Sequence, residues 1–150
     1  MNNEVLIPGD NLQAAADLSV ESERLRLGHA GFGGFFAIAA EWNLTDDQAR
    51  QLLDLQPEDR LEEIKVNPDP QLFTEERLMR IGCVIGIYRG LQTYCGLNTY
   101  FGENIAVAWI TRPNLDPMFG GLSPVEHMIR GGLDAIFEVR RQTDAWCGGN

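Results

Sequence analysis

What this sequence lacks narrows the field first. It has no excess of positive charge: 12 Lys and Arg stand against 22 Asp and Glu, a formal net charge of −10. A free-standing nucleic-acid binder usually carries a basic face, so strong DNA binding by the isolated chain is disfavoured, and a partner with a basic surface is favoured. Cysteine is scarce: Cys83, Cys95 and Cys147 are odd in number and irregular in spacing. They form no disulfide framework and no zinc knuckle, and read as structural thiols in a reducing compartment. Histidine is limited to His29 and His127, with no acid, serine or cysteine at a spacing that suggests a triad or a metal site.

Long apolar runs are also missing. The best candidate, Leu78 to Leu97, is interrupted by Arg80 and Arg89, so no membrane span is expected. The start, Met1 to Val20, carries Glu4, Asp10 and Asp17 and no Lys or Arg. That is unlike a signal peptide, and a cytoplasmic location is expected. Two-fold alternation of apolar and polar residues is absent, as are repeats, so strands are not expected and the fold class is all-α.

What is present is helical punctuation. Residues 1–20 read as a loose arm. Leu25, Phe32, Phe35, Phe36, Ile38 and Ala39 recur at helical spacing up to Trp42. Thr45-Asp46-Asp47-Gln48 is a capping box, with the threonine oxygen and the glutamine side chain each satisfying an orphan N–H. The helix it opens should run through Leu53, and a short one is expected over residues 56–66, ended by Pro68 and Pro70. Thr74 reads as the N-cap of the longest helix, about 75–95. A helix over 103–111 stops before Pro113. Ser123-Pro124-Val125-Glu126 offers an N-cap serine, a first-turn proline and a capping glutamate. Gly131-Gly132 breaks that helix, and a last one covers 133–146.

Several clusters invite chemistry. The pairs Asp46/Asp47, Glu62/Glu63 and Glu75/Glu76 are sequence neighbours that diverge around a helix, which suits solvated or capping roles. Gly28-His29-Ala30-Gly31-Phe32-Gly33-Gly34 fails the dinucleotide spacing and reads as small residues allowing close helix packing. Gly82, Gly86 and Gly90 place a glycine stripe on the longest helix. They give up roughly 3 kcal/mol of helix propensity unless something packs tightly there: another helix of the chain, a second copy, or a partner. No set of side chains reads as catalytic, and no cofactor or metal is expected.

Leu44 to Val66 has the dimensions of a helix–turn–helix, yet from Glu41 to Asp69 nine acidic residues face three basic ones, Arg50, Arg60 and Lys65. Those three are the only DNA-binding candidates, and a helix carrying Glu58, Asp59, Glu62 and Glu63 repels phosphate. From Thr74 onward eight acids face seven bases, and every base is arginine, the type favoured in interfaces.

The segments just read resemble a known family, antitoxins of the Xre/MbcA/ParS type, over about residues 35–146. Residues 42–53, Trp-Asn-Leu-Thr-Asp-Asp-Gln-Ala-Arg-Gln-Leu-Leu, look like its first helix–turn–helix segment, with Asp54 where the family commonly has glycine. Leu78 to Leu91, with Ile87-Tyr88-Arg89, looks like its central helix. Ala108 to Asn114, then Gly120 to Met128, and Gly131 are similar to its toxin-binding signature, carried by Trp109, Pro113, Asn114, Gly121, Ser123, Pro124 and Gly131. Within the family the likeness is greatest to the ParS branch.

The resemblance implies residues 21–73 as an Xre-like helix–turn–helix bundle and 74–150 as central helix and toxin-binding domain. It implies a RES-domain, ParT-type toxin as partner, one that degrades NAD or transfers its ADP-ribose. It also implies an antitoxin homodimer within a hetero-oligomer, and operator DNA bound weakly or only as a complex. A stand-alone helix–turn–helix regulator is the alternative. The toxin-binding candidates are Arg130, Arg140, Arg141, Trp146, Cys147, Gly148, Gly149 and Asn150, with Trp146 as an apolar anchor and the tail after it entering the toxin's cleft.

Overall fold

The computed structural model describes residues 4–6, 15–95, 99–100 and 103–148, with side chains from residue 17 to 94 and from 104 to 148. The chain is all-helical, as its punctuation predicts. Helix α1 spans Glu21–Glu41, α2 Asp46–Leu52, α3 Leu61–Val66, α4 Glu75–Cys95, α5 Ile105–Thr111 and α6 Pro124–Trp146. Two short antiparallel pairings accompany them, β1 (Glu4–Leu6) with β2 (Ala15–Asp17) and β3 (Thr99–Tyr100) with β4 (Glu103–Asn104). They lie where the sequence has no strand pattern, because two or three residues are too few to leave a period. Within the stretch expected as a loose arm, the described residues 4–6 and 15–17 pair, and Leu18 just beyond them is 1% exposed. Its carbonyl accepts a 2.8 Å hydrogen bond from Arg24.

Both capping boxes form. Gln48 N donates to Thr45 Oγ1 at 3.1 Å and Thr45 N to Gln48 Oε1 at 2.9 Å. The Ser123/Glu126 pair repeats the arrangement. Thr74 caps α4 through Arg77 N at 3.2 Å. Helix α1 stops at Asn43, which takes φ 57°, a left-handed conformation that Asn tolerates. The helix expected over 56–66 is shorter: the chain turns through 56–60, where Asp59 accepts from Gln56 N, and α3 starts only at Leu61. Residues 53–60 thus separate α2 from α3, a longer connection than the three or four residues of a helix–turn–helix. The helix expected from Glu103 starts at Ile105, capped by Asn104.

Helix α4 is the axle, packed against α1 on one side and α6 on the other; α2 and α5 lean on α6, and α3 on α1. One continuous core joins them, with Phe32, Phe35, Trp42, Leu52, Ile87, Leu91, Ile110, Met128 and Ile136 almost fully buried. It takes residues from both sides of the 73/74 boundary. The glycine stripe on α4 is consumed internally. A Cβ on Gly86 would meet the Arg140 guanidinium, and one on Gly90 would sit 3.1 Å from Thr143, so α6 lies tight along it. On α1, a Cβ on Gly28 would run into the buried Phe73 ring.

Candidate protein-binding surface

The unit built from α5, the following loop and α6 holds Trp109, Pro113, Asn114, Gly121, Ser123, Pro124 and Gly131, the residues singled out in the sequence. Past α5 the chain leaves the helix at Arg112, and Pro113 is exposed. Asn114 then organises the turn: its N–H donates to the Leu122 carbonyl at 3.1 Å, and its Oδ1 accepts from Asp116 N at 2.8 Å. Asp116 in turn accepts from Met118 N, opening a 3₁₀ turn over Pro117–Phe119. Gly120 and Gly121 follow at φ 57° and 90°, conformations open to glycine at no steric cost. They reverse the chain into the Ser123 cap, with Pro124 at the first helical position. Leu115 is left fully exposed at the tip of this braced loop.

A row of rings ties the unit together. His127 meets Phe119 at 5.3 Å between centroids, Phe119 meets Trp109 at 5.9 Å, Trp109 meets Trp146 at 4.8 Å, and Trp146 meets Tyr94 at 5.2 Å. The first three contacts are edge-to-face, the geometry aromatic quadrupoles favour. Trp109 and Trp146 are half-buried and Tyr94 is exposed, so the row surfaces at one end. No local pattern reveals it, because its members come from α4, α5, the loop and both ends of α6.

The structure divides the expected partner-binding residues. Arg130 and Arg141 are exposed on α6. Arg140 is half-buried and internally engaged: Nε donates to both Asp144 oxygens at 3.1 Å, and one terminal nitrogen donates to the Gly82 carbonyl. Trp146, expected as an outward anchor, is part of the ring row. The Cys147 thiol donates to the Gly90 carbonyl at 3.4 Å, which ties the end of α6 back to α4. Gly148 is exposed with φ 78°. Gly149 and Asn150, the intended tip of the tail, lie outside the described residues. Gly131 precedes Gly132, whose φ of 69° and ψ of −150° kink α6.

Two further arginines, which the sequence shows only as part of the charge balance of the C-terminal half, serve the fold. Arg77 donates to the carbonyls of Leu53, Leu72 and Asp54 at 2.7–2.9 Å. Arg80, 9% exposed, donates to the Leu52 carbonyl and pairs with Glu76 at 3.3 Å. Together they satisfy the orphan carbonyls at the end of α2 and sit at its negative pole. Burial pulls the pKa of Arg77 down, against the opposing pull of Asp54.

The DNA-binding candidates form no basic face. Arg50 pairs with Asp47 at 2.9 Å, Arg60 with Glu63 at 3.3 Å, and Lys65 with Asp46 at 3.6 Å. Among the described residues no three His, Cys, Asp or Glu are grouped to hold a metal ion, and no helix is long and apolar enough to cross a membrane. No family model matches the chain, and neither a curated protein nor a solved structure matches it.

Proposed function

We propose that this chain is the antitoxin of a type II toxin–antitoxin pair, which binds a RES-domain toxin and covers its NAD site. The observation that supports this reading best is convergence. Trp109, Pro113, Asn114, Gly121, Ser123 and Pro124, quoted for the resemblance from separate stretches of sequence, occupy one hydrogen-bonded loop and the helix ends it joins. A second observation supports the likeness of the α2 segment. Asp54, standing where the family commonly has glycine, takes φ 55°, the left-handed conformation glycine adopts most readily.

The proposed contact surface is the exposed end of the ring row with Arg130, Arg141 and Leu115. Tryptophan, tyrosine and arginine are the residue types that dominate interface energetics. An NAD site must hold two phosphates and is therefore electropositive, so a chain of charge −10 is steered toward it. Occlusion needs no catalytic group on this chain.

The test is co-expression with the RES-domain product of the neighbouring gene. The two should co-purify, and NAD consumption by the toxin should be blocked. Replacing Arg130 and Arg141 by alanine should weaken the complex by about tenfold or more. A toxin that fails to co-purify, or that turns over NAD undiminished in the presence of this chain, overturns the reading. The charge pairing of Arg50, Arg60 and Lys65 gives the stand-alone regulator no support, so the free chain should leave operator DNA unshifted in a gel at physiological salt.

A further inference from the structure

Helices α1 and α4 run side by side in the same direction, with Gly31 opposite Ile81, Gly34 opposite Ile85 and Trp42 near Tyr88. Between them lies a groove of about 690 Å³, a size within the roughly 300–1,000 Å³ of small-molecule sites. It follows α1 from Leu27 to Glu41, about 20 Å at the rise of an α-helix. Leu27, Leu78, Ile81 and Ile85 form its walls, and four small residues of α1, Ala30, Gly31, Gly34 and Ala37, hollow out one side. Packing does not demand the two glycines. A Cβ on Gly31 would come no nearer than 3.5 Å to Ile81, and one on Gly34 no nearer than 3.6 Å to Ile85. Alanine fits at both and favours the helix more, whereas Gly28, Gly86 and Gly90 are held by close neighbours. What a methyl at Gly31 or Gly34 takes up is the volume of the groove.

The polar side chains of the lining gather at one end. They are Glu41, Tyr88 and Arg89, near the C-terminus of α1. The Tyr88 hydroxyl donates to the Glu41 carboxylate, so that acid has a partner. Arg89 is exposed and makes no ion pair among the described residues. The result is a long apolar trough with an uncommitted guanidinium at its mouth, the arrangement of an amphipathic ligand site: apolar walls and a few polar groups that fix orientation.

We propose that this groove binds a single-chain alkanoic acid, with the alkyl chain laid along α1 and the carboxylate on the Arg89 guanidinium. Each part of the ligand answers a part of the groove. An alkyl chain fills a long narrow trough and asks no hydrogen bond of walls that have none to give. A planar carboxylate matches the guanidinium fork in two parallel hydrogen bonds. Glu41 stands on the same rim, so a phosphate head, with its second charge, is repelled more than a carboxylate. The acid is taken from solution rather than from a bilayer, because an anionic lipid surface repels a body of charge −10.

The groove shares no residue with the surface proposed for the toxin, so this inference stands apart from that reading. Isothermal titration of the purified full chain with dodecanoate, kept below its micelle concentration, should show one saturable site per chain and a negative heat-capacity change. From octanoate through decanoate to dodecanoate, affinity should climb by about two- to fourfold per methylene. Arg89→Ala should weaken dodecanoate by about tenfold and leave dodecanol binding unchanged, a split that a purely structural role for Arg89 does not produce. Ala37→Phe sets a large ring on an exposed wall position. It should abolish uptake of both, with helical circular dichroism and capture of the neighbouring gene's product unchanged. Absence of saturable uptake overturns the proposal, including the case in which a second copy of the chain closes the groove. So does uptake of many molecules per chain, the behaviour of a surfactant coat. Equal loss of acid and alcohol on Arg89→Ala overturns the carboxylate assignment, and undiminished binding by Ala37→Phe puts the ligand outside the groove. Recruitment to vesicles of anionic lipid, with no uptake of free dodecanoate, also overturns it.

Discussion

Arg77 donates to three backbone carbonyls drawn from two segments, Leu53 and Asp54 more than twenty residues away and Leu72 close by. Hydrogen bonds from a charged donor carry more than neutral ones, and carbonyls left without a partner carry a desolvation penalty. Arg77→Ala should therefore destabilise the fold by about 2–3 kcal/mol in urea unfolding. Arg77→Lys should recover little, because a single ammonium does not reproduce the guanidinium fork. Sequence reading named Arg140 as a partner-binding residue and counted Arg77 and Arg80 only in the charge balance of the C-terminal half. The carbonyls that tie them across the fold, Leu53 and Asp54 for Arg77, Leu52 for Arg80 and Gly82 for Arg140, lie 23 to 58 residues away, and backbone oxygens carry no residue identity that a sequence could display.

At the scale of elements, punctuation governs. The α6 capping box joins Ser123, Pro124 and Glu126 within four residues, so it is legible locally and forms as read. Ser123→Ala should lower stability by about 1 kcal/mol, seen as a lower melting temperature. The break at Gly131-Gly132 is equally legible, but its purpose is not. Gly132 at φ 69° and ψ −150° adopts a conformation essentially restricted to glycine. The kink lets the first half of α6 hold the loop of the ring row while the second half lies along Gly86 and Gly90. Gly132→Ala should cost about 1–3 kcal/mol and loosen the Trp109–Trp146 contact, read as a red-shifted and less structured tryptophan signal. Sequence reading extended α3 back to Gln56 because Pro57 is tolerated in the first turn of a helix, but residues 56–60 form a turn in which Asp59 accepts from Gln56 N.

Over the whole molecule, acid dominates the surface and neutral thiol and phenol groups mark the α4 axle. Burial pushes the Cys83 thiol above its ordinary value of 9.0, opposed by the Arg140 guanidinium beside it. Tyr88 is raised above 10.0, chiefly by its hydrogen bond with Glu41. Both groups bind their protons more tightly folded than unfolded. Their contribution is thus full below the ordinary values and is lost as pH rises through the folded ones. Melting temperature should fall as pH climbs above 9.0, and Cys83→Ala should flatten the first part of that decline. A profile unchanged by Cys83→Ala would assign the alkaline loss elsewhere.

Helix class, both capping boxes, the N-cap of α4 and the break in α6 were all settled by residues a few positions apart, where periodicity and capping act locally. Which glycines face the interior, which arginines bridge helices, and that Trp146 joins Trp109, Phe119 and Tyr94 were settled only by packing. Each depends on groups from distant segments arriving at the same place, a property of helix directions and crossings that local spacing does not encode.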